Sequence, residues 1–232
     1  MKNYVILLAS GTGSRFGGDI PKQFVEINGR MVVEYTIDVC MRTVGIDEVV
    51  VVVPKEYCKF MQDVVDRNKY VKLVRVVAGG ASRKESCSLG LAAIPDDHAK
   101  VLIHNAVQPF VSTKTFEDCI RALDDFRAVS VGSPSVYTVL ELDDNRILKR
   151  IVPRSHSVND LGPECFEASF LRKIFSTVGN DDSFTNITGI VAKYGMADVY
   201  VVDGDPSNIK ITYADDVLLA KKILEERERH RL

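Results

Sequence analysis

The sequence predicts an α/β fold: a Rossmann-like, mostly parallel sheet flanked by helices, with a projecting β-hairpin arm. Three observations predict it. Short β-branched runs alternate with helical patterns, which implies parallel strands joined by right-handed crossovers. A glycine-rich loop directly follows the first of these runs. The alternation breaks once, where two strand-like runs surround a turn between Tyr137 and Val152.

Tyr4–Ala9 is short, apolar and closed by turn residues, as a buried strand is. Asp47–Val53 is β-branched and apolar, another buried strand, with helical patterns on either side at Met31–Arg42 and Lys55–Arg67. Val71–Ala78 is a strand closed by Gly79-Gly80. Arg83–Ile94 then reads as a helix and Lys100–His104 as a strand. Ser112–Phe126 is helical with Ser112 or Thr113 as N-cap, and Ala128–Gly132 returns to a strand. "YTVLELDDNRILKRIV" is a hairpin turning at Asp143-Asp144-Asn145. Such a hairpin packs either on a second subunit or along the edge of its own domain. Glu167–Val178 and Phe184–Tyr194 are helical, Ala197–Val202 is a strand, and Asn208–Thr212 is a short extended run. The last helix covers Ala214–Arg229 with mixed charges outward.

A length of 232 residues suits one domain over 1–232, with the arm at about 135–158. The 46% hydrophobic content is enough for a sizeable core. With 30 basic and 32 acidic residues the net charge is -2, which argues against nucleic acid or an anionic membrane as partner. The five cysteines are dispersed and form no C-x-x-C pair, so reduced thiols and a cytoplasmic setting are expected. The first strand begins at the start of the chain, leaving no room for a signal peptide, and no apolar run is long enough to span a bilayer.

The chemistry concentrates in loops. In "LLASGTGSRFGGDIPKQF", Gly11, Gly13, Gly17 and Gly18 free the backbone to turn N–H groups toward an anion, and Arg15 and Lys22 add positive charge. The spacing is neither that of a Walker loop nor G-x-G-x-x-G, and no ribose-binding acid follows the second strand, so a dinucleotide cofactor is not expected. In parallel sheets ligands bind at the carboxyl ends of strands. The loops after Ala9, Ala78 and His104 lie at that edge, which brings Arg15, Lys22, Arg83 and Asn105 around one site.

"ASGTGSRFG" with "PKQF", "GGASRKESCSLGL", "HNAVQPF" and "NIKIT" together resemble, in order and over nearly the whole chain, the IspD-like cytidylyltransferases, which act on methylerythritol phosphate or ribitol phosphate. The resemblance implies a nucleotidyltransferase domain with a CTP site. Ala9, Ser10, Gly11, Gly13, Gly80, Arg83, Ser86, Asn105 and Ala106 would bind the nucleotide, with Gly80 and Ser86 reading cytosine. It also implies in-line attack of an acceptor phosphate on the α-phosphorus of CTP, with Arg15, Lys22 and Lys210 stabilising charge and Mg2+ bridging phosphates. Arg154, Thr185 and Lys210 would contact the acceptor, and the arm would form a homodimer.

The match is uneven. The family's H-D-A-A-R-P is His104-Asn105-Ala106-Val107-Gln108-Pro109 here. Its Q-T-P-Q-x-F is Leu161-Gly162-Pro163-Glu164-Cys165-Phe166, and its Thr-Asp pair is Thr185-Asn186. These departures fall on the acceptor half. They point to a polyol phosphate, or a phosphonate for a surface polymer, other than the two family acceptors. Two alternatives stand beside this: a sugar-phosphate nucleotidyltransferase using another nucleotide, and a nucleotide-binding scaffold with weak activity. His104 reads as structural, not as a proton shuttle.

Overall fold

The computed structural model describes residues 1–178 and 186–229, except 12, 14, 18 and 19. β1 (Asn3–Leu8) opens the chain and runs into the glycine loop. A small ribbon, β2 (Glu26–Ile27) with β3 (Arg30–Met31), turns at Asn28-Gly29, both at positive φ, and leads into α1 (Val32–Arg42). β4 (Glu48–Val53), α2 (Cys58–Asn68), β5 (Leu73–Ala78), α3 (Arg83–Ala92), β6 (Lys100–Asn105), α4 (Thr113–Ala122) and β7 (Ala128–Pro134) complete the first part. The second part carries β8 (Val139–Leu142), β9 (Leu148–Val152), β10 (Val158–Asp160), β11 (Glu164–Glu167), α5 (Ala168–Val178), α6 (Ile187–Lys193), β12 (Val199–Asp203) and α7 (Asp216–Arg229).

The main sheet has the order β10-β7-β11-β6-β1-β4-β5, with β12 also on β7. The pairs β1–β4, β1–β6, β4–β5 and β7–β12 are parallel. Strands β1 and β4 are apolar because both their faces are covered. Val5, Leu7, Val49, Val51 and Val53 enter one core, and Tyr4, Ile6, Leu8, Val50 and Val52 enter the other. Each fully buried aliphatic side chain contributes about 1.5–3 kcal/mol relative to exposure, which fixes this register.

The sheet is mostly parallel, as expected, but it also holds β10 and β11, which no pattern in the sequence signals. Both run antiparallel to β7, and β11 also pairs antiparallel with β6. They are three and four residues long, too short to carry a period. The Leu161 N–H donates to the Val131 carbonyl between them, so they form one interrupted path along β7. Ser112 caps α4, accepting from the Thr115 N–H at 3.0 Å. The hairpin β8–β9 forms as a separate two-stranded sheet, with Leu140 opposite Ile151. Its turn reaches from Asp143 to Ile147, and Arg146, not Asn145, takes the left-handed conformation. Asn208–Thr212 forms no strand. Its Ile211 N–H donates to the Val107 carbonyl, and Ile209 and Ile211 pack with α7 in a third apolar cluster.

Candidate active site

The loops after β1, β5 and β6 meet at one edge of the sheet and enclose a cavity of about 480 Å³. The glycine loop is shaped from below. Gln23, almost fully buried, donates from Nε2 to the carbonyls of Ala9 (2.6 Å) and Gly11 (3.1 Å). Gly13 has φ +70°, and a Cβ there would lie 3.4 Å from Lys22 Cγ. The loops touch because Gly79 has no side chain: a Cβ would fall 2.5 Å from that of Ser10. Ser10 Oγ then donates to Ser86 Oγ at 2.9 Å, and the Gly80 N–H donates to the same oxygen at 3.1 Å. Ser82 caps α3, accepting from the Glu85 N–H at 3.1 Å, and so aims the start of that helix at the cavity.

Arg15, Lys22, Arg83 and Lys210 all line this cavity. Burial, then Lys210, then Arg15 lower the Lys22 pKa to about 8. Lys210 is lowered by burial first and then by Arg83 and Arg15. Cations that depress these two lysines in a half-buried pocket form a site for an anion, which relieves the repulsion. For Arg83, burial opposes the charge, but Glu164 outweighs it and raises the pKa.

A second cavity of about 400 Å³ adjoins the first, and Arg83, Asn105 and Lys210 line both. Its acids are engaged internally. Glu164 binds Arg83 at 2.6 Å and accepts from the Thr188 N–H at 2.8 Å. Asp160 accepts from Asn186 Nδ2 at 3.1 Å, while Asn186 Oδ1 caps α6 through the Gly189 N–H at 3.0 Å. Behind this wall His104 is fully buried. Burial, opposed by its bond to the Gln108 carbonyl and aided by Lys210, holds its pKa down to about 4. It is therefore a neutral structural side chain near pH 7.

Of the residues read from sequence, Ala9, Ser10, Gly11, Gly13, Arg15, Lys22, Gly80, Arg83, Ser86, Asn105 and Lys210 line the first cavity. Two are not brought there, and a third, Thr185, lies outside the described residues. Ala106 lies in the core: its N–H donates to the Leu8 carbonyl and its carbonyl accepts from Thr36, so the sheet pairing continues through it and Val107 takes the wall. Arg154 stands on the exposed 3-10 turn Arg154–His156 and lines neither cavity. Sequence reasoning missed Gln23, although it sits inside the quoted "PKQF". It also missed the engagement of Glu164 with Arg83, which no local pattern signals.

Comparison with known proteins agrees with this geometry. The family described as 2-C-methyl-D-erythritol 4-phosphate cytidylyltransferase matches residues 3–226, and the chain belongs to that family. A 2-C-methyl-D-erythritol 4-phosphate cytidylyltransferase of Clostridium botulinum (strain 657 / Type Ba4) is 31% identical over 97% of this chain and 98% of its own. A bifunctional ribulose 5-phosphate reductase/CDP-ribitol pyrophosphorylase of Haemophilus influenzae is 30% identical over 97% of this chain, which spans only 49% of that protein. The crystal structure of a 4-diphosphocytidyl-2C-methyl-D-erythritol synthase from Anaerococcus prevotii DSM 20548 superimposes with a TM-score of 0.85 and 28% identity, covering 97% of this chain and 96% of that one.

Proposed function

We propose that this member of the cytidylyltransferase family joins CMP from CTP to a phosphorylated polyol and releases pyrophosphate. The observation that carries the proposal is the wall shared by the two cavities. A nucleotide in the first and a phosphorylated acceptor in the second would bring their phosphates together at Arg83, Asn105 and Lys210. Arg15, Lys22 and the glycine loop would hold the triphosphate. Ser86 Oγ accepts from Ser10 and Gly80 and keeps its own proton to donate to the base, while the Gly80 carbonyl can take the exocyclic amine of cytosine.

In the reaction, an acceptor phosphate oxygen forms a bond to the α-phosphorus as the bond to the bridging oxygen of the β-phosphate breaks. The electron pair departs on pyrophosphate. The nucleophile is already anionic, so no general base is needed, and catalysis rests on placing both phosphates and on cations at the developing charge. Magnesium, implied by the resemblance, supplies charge neutralisation on phosphates when bound. The described residues do not fit a protein-held ion: they contain no cluster of three acidic, histidine or cysteine ligands, and Glu164 and Asp160 are engaged elsewhere. We therefore assign Mg2+ to the triphosphate and not to a protein site.

The acceptor is proposed to differ from methylerythritol phosphate, because Asn105, Gln108, Gly162 and Asn186 stand on its cavity where the family pattern has Asp, Arg, Thr and Asp. A homodimer through β8–β9 is also proposed. Leu140, Leu148 and Ile151 are each at least half exposed there, and apolar surface on a hairpin calls for a partner. Arg154 lies two residues after β9 on the same arm, and its contact with an acceptor is proposed to come from the dimer. A cytoplasmic setting is supported by five free cysteines, and no helix among the described residues is long and apolar enough to cross a membrane.

The test is pyrophosphate release with CTP, UTP, GTP and dTTP against a panel of polyol phosphates. Release with CTP and one polyol phosphate is expected. Methylerythritol phosphate consumed at an ordinary enzyme rate would overturn the altered acceptor. Tight CTP binding with no release from any acceptor would overturn the enzymatic reading in favour of a scaffold.

A further inference from the structure

A chain of uncharged contacts crosses the acceptor cavity, and its direction can be read from one end. Leu161 is tied to β7 by its N–H. Its carbonyl can only accept, and Gln108 Nε2 donates to it at 2.7 Å. That contact sets which end of the Gln108 amide is nitrogen. Gln108 Oε1 is thus an acceptor, and the Asn105 group 2.6 Å away is its Nδ2 amide. A flipped Asn105 would set two carbonyl oxygens against each other. Asn105 Oδ1 is left with no donor among the described residues, on a side chain that lines both cavities. The Gln108 backbone is held as well: its N–H donates to the Asn105 carbonyl and its carbonyl takes His104 Nε2, both at 3.0 Å. Gln108 is 4% exposed, so its amide is largely shielded from bulk water.

We propose that Gln108 is a positioning residue: it locks the Asn105 amide with the oxygen turned to the wall between the cavities, so that the acceptor subsite selects a polyol phosphate by a donated hydroxyl. The inference rests on the function proposed above. A carboxylate at this wall would set a negative charge beside Arg83 and Lys210, and an arginine would attract any anion. A neutral oxygen does neither. It rewards a hydroxyl hydrogen at one place and leaves the phosphate to Arg83 and Lys210. The pair Asn105–Gln108 makes one hydrogen bond with no formal charge on either side.

The experiment compares the wild-type chain with Gln108→Leu and Gln108→Glu, using CTP and the best polyol phosphate of the panel. Gln108→Leu is expected to raise the acceptor KM about tenfold, the size of one neutral hydrogen bond, with the CTP KM within about twofold of wild type. In Gln108→Glu the protonated carboxyl can still donate to Leu161 and accept from Asn105. Its acceptor KM is therefore expected near the wild-type value at low pH and to rise as the buried carboxyl ionises, a profile the wild type lacks. In an active wild type, equal shifts in both KM values, or none in the acceptor KM, overturn the inference. One measurement needs no turnover. The Asn105 side-chain amide protons are expected to exchange slowly in the wild type and at least tenfold faster in Gln108→Leu by NMR. Fast exchange in the wild type overturns the inference even if no acceptor is ever found, while slow exchange with no turnover sinks only the enzymatic reading.

Discussion

Arg83 Nη2 and Glu164 Oε2 lie 2.6 Å apart on the wall between the two cavities, although 81 residues separate them. The other Glu164 oxygen accepts from the Thr188 N–H at 2.8 Å and the Thr188 hydroxyl at 3.3 Å. One buried carboxylate therefore joins α3, β11 and α6 behind the cationic face. Glu164→Ala would leave a half-buried guanidinium and the first N–H groups of α6 without this partner. A loss of about 2–3 kcal/mol is expected, below that of a fully buried pair because Arg83 stays partly in water. Urea unfolding checks it, and an unchanged midpoint would show that the carboxylate does not join these elements.

Lys22 is expected to make nucleotide binding depend on pH. Burial, Lys210 and Arg15 set its pKa at about 8 in the empty site, and a bound triphosphate would raise it. Binding would then favour the protonated form: CTP affinity is expected to be full below pH 8 and to decline as pH rises through that value, about tenfold by pH 9. Stability of the empty protein moves the other way. Folded Lys22 holds fewer protons than an unfolded lysine between about pH 8 and 10.5, so this group's contribution rises across that window. Titration calorimetry at pH 7 and pH 9 reads the binding effect, and Lys22→Arg should flatten it.

Lys210→Met should reduce turnover about a hundredfold, the loss seen when one group stabilising transition-state charge is removed. The fold should be unharmed, because Asn208, not Lys210, anchors this loop: its Oδ1 accepts from the Phe110 N–H at 3.2 Å. The variant should also raise the Lys22 pKa, since Lys210 is the largest charge depressing it. A variant with normal turnover would remove Lys210 from the mechanism.

His104 predicts an acid sensitivity. Its folded pKa is about 4, against 6.5 for the free side chain. As pH falls from about 6.5 toward 4 the unfolded chain takes a proton that the folded chain refuses, so stability declines. The expected loss between pH 7 and pH 5 is about 2 kcal/mol. Urea midpoints at the two pH values measure it, and a His104→Gln variant showing the same slope would assign the effect elsewhere.

The hairpin predicts assembly. Leu140 and Ile151 face each other across β8 and β9 and are 53% and 57% exposed. If they seat a second copy, the 25.8 kDa chain sediments as a dimer, and Leu140→Asp with Ile151→Asp yields monomer. A wild-type monomer at micromolar concentration would refute the dimer.

The sequence by itself determined the parallel centre of the sheet and the loops at its edge. Val49–Val53, five β-branched residues in a row, reads as a strand buried on both faces, and a glycine loop at the end of such a strand lies where ligands bind. These are local signals, carried by the period and type of adjacent residues. Tertiary structure alone decided what the site groups do to one another. Ala106 continues the sheet pairing and so leaves the wall to Val107, and Glu164 reaches Arg83 across a short antiparallel strand that carries no period of its own. Asn105 and Gln108 looked like lost charges in the chain; folded, they form a hydrogen bond anchored on Leu161. Such contacts join residues far apart in the chain, and their strength depends on burial, which excludes water only once the sheet has closed around them.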